Sequence, residues 1–321
     1  NIVLKLEEVF KIFPLSYFIV SDRWDEQQLK SLGILTTRVR EGGFGTDAEA
    51  AFSEYVIHKD RIMDDIQQLK KRWDFKLMIA SVNLCGGTSG IALPLVNDVL
   101  DNFDDIKCLM FLKIPTSSFS TWRQLMNIEF FFTKYKNMKR IGKLSLMLYT
   151  DEGYYGAMYV DEWMSDFISC LIASLTAKMG SVANTLKQLC EFKQNESSFE
   201  QAIGAPFILD SEKSVEEGLP LIESSLRNLK SQLKGSLLNV DFDLASPYHL
   251  FGVLCYPNSM NKNESEEFEL RKNLANIVEH SMGQKGLKGF QWIEPVPFGK
   301  TWKLYGMLRG LKITNIKGIE L

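Results

Sequence analysis

The stretch LMIASVNLCGGTSGIALPLVNDVL, residues 77–100, limits what this chain can fold into more than any other. An apolar, strand-like run enters the turn Cys85-Gly86-Gly87-Thr88-Ser89-Gly90, and a helical pattern follows at once. Glycines let a backbone approach closely, and its N–H groups can converge on an anion. The positive end of the following helix then favours phosphate. Taken alone, the same glycines also suit a tight strand-to-helix connection that binds nothing.

The surrounding pattern favours a sheet. Tyr17–Val20, Ile34–Arg38, Phe75–Val82, Ile106–Ile114 and Leu144–Leu148 read as strands. Leu4–Phe13, Asp25–Leu32, Asp47–Trp73 (as one or two helices), Ser89–Phe103 and Trp122–Lys136 read as helices. Within Asp47–Trp73 the periodicity turns Ala50, Phe52, Tyr55, Val56, Ile62 and Ile66 toward a core. Strands that are apolar throughout and alternate with helices indicate a parallel sheet covered on both faces. A long helix at Asp161–Lys178 carries Trp163, Met164, Phe167, Ile168, Leu171, Ile172 and Leu175 on one stripe, as expected of a core helix joining two halves. Beyond it, strands at Ala205–Leu209, Tyr248–Cys255, Phe290–Val296 and Trp302–Leu311 mix with helices at Val215–Leu233 and Glu266–Ser281. Local connections of that kind favour an α+β domain with a mixed sheet.

Charge narrows the partners. The 37 basic and 40 acidic residues nearly cancel and are interspersed, so there is no electrostatic footprint for direct nucleic-acid binding. No apolar run approaches the roughly 20 residues of a membrane helix, and no signal peptide pattern is present, which predicts a cytoplasmic protein without membrane insertion. Cys85, Cys108, Cys170, Cys190 and Cys255 are scattered and read as reduced thiols packed as small hydrophobes. His58, His249 and His280 stand too far apart in the chain to argue for a zinc site or a Ser/His/Asp relay.

A second glycine loop, Glu41-Gly42-Gly43-Phe44-Gly45-Thr46, follows a strand and precedes a helix. A parallel sheet would bring it to the same carboxyl edge as the first, where ligands bind in open α/β sheets. Neither loop fits GxGxxG followed by a suitably spaced acid, nor GxxxxGK[ST], which disfavours dinucleotide dehydrogenases and P-loop NTPases.

Together these residues resemble the tubulin/FtsZ superfamily of GTP-binding filament proteins. CGGTSGIALP, from Cys85 to Pro94, is similar to the family's GGGTG[ST]G signature with its trailing proline. Gly43-Phe44-Gly45-Thr46-Asp47-Ala48-Glu49 resembles its GAGANPE loop, and Ser21-Asp22 its acid-bearing loop. Pro115 and, eight residues on, Arg123 match the spacing of its phosphate-contacting arginine, with Phe119 where an acid is expected. The resemblance implies that Asp22, Gly43, Gly45, Gly86, Gly87, Thr88, Ser89 and Arg123 surround GTP or GDP, with Mg2+ as counter-ion. It implies that Asp161, at the start of the central helix, reads the guanine base, a carboxylate being apt for two N–H donors. Asn1 coincides with the asparagine closing the family's first phosphate loop, so the first strand and that loop are expected upstream of the given sequence.

The implied organisation is a Rossmann-like α/β nucleotide-binding domain over residues 1–160, a central helix over 161–180, and a smaller α+β domain over 181–321. Its implied partners are further copies of itself, or a related filament protein, stacked head to tail. Hydrolysis in this family needs acids on a loop after the central helix; here those positions fall on Thr185 and Gln188, which predicts weak turnover. Asn239-Val240-Asp241-Phe242-Asp243 looks like the catalytic motif but stands too late in the chain. A non-polymerising pseudo-GTPase that regulates an active relative, and an unrelated α/β enzyme, remain alternative readings of the sequence.

Overall fold

Side chains along Lys107–Ile114 alternate between two apolar environments. Leu109 and Phe111 join one hydrophobic cluster, Cys108, Met110 and Leu112 the other, and all five are fully buried. A strand shielded on both sides needs cover on both sides. The computed structural model, which describes residues 17–20, 23–115, 121–138, 141–150, 157–177, 203–211, 215–237, 240–281, 290–316 and 319–320, supplies it.

The first half runs β1 (Tyr17–Val20), α1 (Arg23–Ser31), β2 (Leu35–Arg38), α2 (Ala48–Trp73), β3 (Leu77–Asn83), α3 (Ser89–Asn102), β4 (Lys107–Ile114), α4 (Trp122–Lys136), β5 (Leu144–Thr150) and α5 (Ala157–Ala177). The second runs β6 (Ile203–Asp210), α6 (Val215–Arg227), α7 (Leu229–Ser236), β7 (Val240–Tyr256), α8 (Glu264–Ser281), β8 (Phe290–Pro297), β9 (Lys303–Ile316) and β10 (Ile319–Glu320). β1 and β2 pair in parallel by themselves, and the remaining strands form one sheet in the order β3-β4-β5-β6-β9-β7-β8, with β10 on β9. β3, β4 and β5 are parallel, whereas β9 runs antiparallel to both β6 and β7. The architecture is therefore the expected parallel α/β half followed by a mixed half. They are joined where Leu146 and Met147 of β5 pair with Ile203 and Gly204 of β6.

Helix α5 covers both halves on one face. Met164, Phe167, Ile168 and Leu171 pack against Phe111 and Met147 of the parallel strands and against Phe251, Val253 and Met307 of the mixed ones. Phe167 meets Phe111 edge-on at 5.6 Å and stacks on Tyr305 at 5.9 Å. Burying that one side chain contributes about 2 kcal/mol. Cys170 of this helix touches Cys255 of β7 with the sulfurs 3.4 Å apart, and none of the described cysteines forms a disulfide.

Several expectations are corrected. Val56 is 57% exposed, because the buried stripe of α2 runs through Ala51, Tyr55, Ile62 and Ile66; a 26-residue helix lying on a flat layer buries only one narrow stripe. Val215–Leu233 is two helices, interrupted at Asn228, which takes a non-helical conformation (φ −109°, ψ 24°). α5 starts one turn before Asp161, at Ala157. The strand expected at Tyr248–Cys255 begins eight residues earlier: β7 runs Val240–Tyr256, with Asp241 paired to Asn315 and Asp243 to Lys312 of β9. The expected helix at Leu4–Phe13 lies outside the described residues.

One buried polar contact gives the fold a pH dependence. Arg309 of β9, 1% exposed, approaches Nδ1 of His249 on β7 at 2.7 Å. Burial first, then the Arg309 cation, lower the His249 pKa from 6.5 to about 4. The folded state therefore holds the imidazole neutral, while the unfolded chain takes up a proton below 6.5, so stability is full above that pH and falls as pH drops from 6.5 toward 4. His249→Gln, which keeps an acceptor for Arg309, is expected to flatten that part of the stability-versus-pH curve measured by urea unfolding.

Candidate functional site

The carboxyl ends of β3 and β4 lie on one edge, since these strands run parallel in register from Leu77 opposite Lys107 to Asn83 opposite Lys113. The chain leaving β3 makes a tight turn there. Asn83 accepts from the Cys85 N–H through Oδ1 (2.9 Å) and from the Gly86 N–H through its carbonyl (3.3 Å), and α3 begins at Ser89. The loop after β2 needs glycine for its path, as Gly42, Gly43 and Gly45 all have positive φ (80°, 74° and 56°).

These loops meet directly. The Gly87 N–H donates to the Gly45 carbonyl at 2.9 Å. A Cβ on Gly87 would lie 2.8 Å from the Asp47 nitrogen and from Phe44 Cβ, and one on Gly90 would lie 1.9 Å from the Ala48 carbonyl oxygen. Both glycines thus permit the two loops to touch. Gly86 differs, since a Cβ there would meet nothing closer than 3.8 Å.

Asp47 closes the second loop as the N-cap of α2, its Oδ1 accepting from the Ala50 N–H at 2.9 Å. Its Oδ2 accepts from Arg123, in the first turn of α4, also at 2.9 Å. The Ala50 N–H, and more weakly Arg123, hold the Asp47 carboxyl below the usual carboxylate range against the desolvation that opposes them. Asn127, one turn beyond Arg123, is buried; its Oδ1 accepts from the Ala48 N–H (3.3 Å) and its Nδ2 donates to the Leu84 carbonyl (3.1 Å).

The entrance of α3 suits an anion. Thr88, the N-cap, makes no side-chain capping bond, and its N–H has no partner among the described residues. The first turn of α3 carries no acid, and Ser89 Oγ is buried without a hydrogen-bond partner among the described residues. Exposed donors at a helix N-terminus attract negative charge. The Arg123 guanidinium, 62% exposed, adds a cation at the same edge.

Of the residues read from the sequence, Gly43, Gly45, Gly86, Gly87, Thr88, Ser89 and Arg123 come together here. Asp161 lies in α5, its side chain outside the description, and Asn1, Asp22, Thr185 and Gln188 lie outside the described residues. Sequence reasoning gave no role to Asp47 or Asn127. The signal for Asp47 is an Asx residue just before a helical run, and for Asn127 a polar residue beside the apolar stripe Ile128, Phe131, Phe132 and Tyr135.

Neither a family model nor a curated protein matches the sequence. Solved structures do. The chain superposes on CetZ2 from Haloferax volcanii, solved as a GTPγS-bound protofilament, with a TM-score of 0.66 and 15% identity over 96% of this chain and 87% of that one. This chain has the tubulin/FtsZ fold. CetZ1 from Haloferax volcanii, a GDP-bound monomer, shares that fold with it at TM-score 0.66 and 15% identity, covering 97% and 89% of the two chains. The tail-truncated TubZ of Clostridium botulinum phage c-st does so at 0.64 and 13%, covering 97% and 88%. Among the described residues no helix is long and apolar enough to cross a membrane.

Proposed function

We propose that this protein is a cytoplasmic guanine-nucleotide-binding protein that self-associates head to tail into filaments and turns GTP over slowly. The observation carrying this reading is the contact of the two glycine loops, Gly87 N–H on Gly45 O, beside an α3 entrance whose exposed Thr88 N–H has no partner among the described residues. Gly86 leaves room for close approach, the exposed Thr88 donates its N–H to a phosphate oxygen, the buried Ser89 lies behind it in the first turn of α3, and Arg123 neutralises the phosphate charge. Gly43 and Gly45 shape the second loop around the same phosphates. Asp161 reads the base, and Asp22 and Asn1 complete the site. Nucleotide brought in with Mg2+ supplies the phosphoanhydride whose hydrolysis would drive a filament cycle.

The domain boundaries follow the same reading: nucleotide binding in residues 1–160, the central helix over 161–180, and a C-terminal domain from 181 that offers its loop to the neighbouring subunit. A heterologous, non-closing interface produces open polymers. The GTPγS-bound CetZ2 protofilament supports that arrangement by likeness of fold. Thr185 and Gln188 provide no carboxylate to polarise water, hence the slow turnover.

The test is sedimentation and electron microscopy of the full-length protein with and without GTP. Filaments that pellet only with GTP are expected; a monomer unaffected by GTP would leave the pseudo-GTPase alternative in place of this reading. Gln188→Asp is expected to raise GTP turnover by about tenfold. Asp241→Ala is expected to leave turnover unchanged, since Asp241 is a ladder residue whose carbonyl accepts from Thr314.

A further inference from the structure

Asn127 stands out among the buried polar groups because both ends of its amide are committed to the site edge. It is 3% exposed and lies beside Ile128, Phe131 and Tyr135, all fully or nearly fully buried. A polar side chain there destabilises the fold unless both its acceptor and its donor are paired. Both are: Oδ1 takes the N–H of Ala48, the first residue after the second glycine loop, and Nδ2 gives to the carbonyl of Leu84, the residue leading into the first. Leu84 is itself tied to the sheet, its N–H donating to Lys113 of β4 at 3.0 Å.

One amide therefore links three segments distant in sequence. The two loops touch through glycines, at Gly87 against Gly45 and Gly90 against Ala48, and glycines carry no side chains to set their own spacing. Arg123 lies four residues before Asn127 on α4, so whatever locates Asn127 also locates the guanidinium. We propose that Asn127 is the positioning residue that holds both glycine loops and Arg123 in register, so that the phosphate site is formed before its ligand arrives. The proposal rests on the nucleotide reading above. Preorganisation of this kind raises affinity by removing the cost of ordering loops on binding. Leucine matches the shape without the bonds, and aspartate keeps the acceptor for Ala48 while facing the Leu84 carbonyl with a second oxygen.

The experiment compares wild type, Asn127→Leu, Asn127→Asp and Tyr55→Phe. Tyr55→Phe removes a 2.6 Å hydrogen bond from α2 to Asp98 of α3, away from the loops, and reports the effect of lost stability alone. Each is measured at the same interval below its own unfolding midpoint, by amide exchange of the ligand-free chain at Gly87 and by affinity for a fluorescent GTP analogue. Both Asn127 variants are expected to lose about tenfold in Gly87 protection and about tenfold in affinity, with Tyr55→Phe within about twofold of wild type in both. Should Asn127→Leu not fold, Asn127→Asp carries the same expectation. Unchanged protection and affinity in the Asn127 variants would overturn the proposal, as would equal losses in Tyr55→Phe. If wild type itself binds no GTP, it is the nucleotide reading that fails, and the Gly87 exchange alone upholds or overturns the holding of the loops.

Discussion

Gly90→Ala is expected to destabilise the folded protein by about 3 kcal/mol, read as a lower urea midpoint with an unchanged slope. An added Cβ would stand 1.9 Å from the Ala48 carbonyl oxygen and 2.6 Å from its carbon, so the obstacle is backbone and cannot swing aside. Relief would need α2 and α3 to separate, yet Ala48, the first residue of α2, is tied to the sheet edge through Asn127, and Gly90 lies in the first turn of α3. Gly86→Ala is the control three residues before the helix. Its Cβ would meet only Thr88 Oγ1 at 3.8 Å and the Asn83 carbonyl at 4.0 Å, so its stability is expected within about 1 kcal/mol of wild type. A large loss for Gly86→Ala with none for Gly90→Ala would mean that the loops do not pack as described.

Arg123→Ala is expected to weaken binding of a GTP analogue by about thirtyfold, the equivalent of about 2 kcal/mol for a charge-assisted hydrogen bond to phosphate. Stability is expected to change far less. The ion pair it makes with Asp47 is 62% and 39% exposed on its two sides, and bridges of that kind contribute only about 0.5 kcal/mol. Asp47 also keeps its capping bond to Ala50 when the arginine is gone. Equilibrium binding and urea unfolding on the same preparation separate the two effects. Loss of stability with no loss of affinity would remove Arg123 from the site and make its pairing with Asp47 purely structural.

Much of this site was legible because its determinants are local. The turn from Cys85 to Gly90 declares itself through a β-run, two glycines and a helical run in immediate succession, and Trp122–Lys136 is found with its predicted ends because Thr121 and Gln124 form a capping box. What stayed hidden depends on contacts between distant segments. Residues 240–244, with Asp241 and Asp243 alternating around Phe242, are strand because β9 lies beside them. The same holds for Val56, whose apolar character suits a core but whose azimuth on α2 points away from the one the sheet offers. Asn127 follows the same logic. Its two partners are 79 and 43 residues away, so its place beside the apolar stripe of α4 announces burial but not the two loops it bridges.

We propose above all that the edge formed by Gly45, Gly87, Thr88, Ser89 and Arg123 holds a guanine nucleotide. Fluorescence polarisation of a labelled GTP analogue on the full-length wild-type protein, with unlabelled competitors, tests it most directly. Saturable micromolar binding, displaced by GTP and GDP and not by ATP, is the predicted result. No saturable binding at millimolar nucleotide, or displacement by ATP as readily as by GTP, would contradict it.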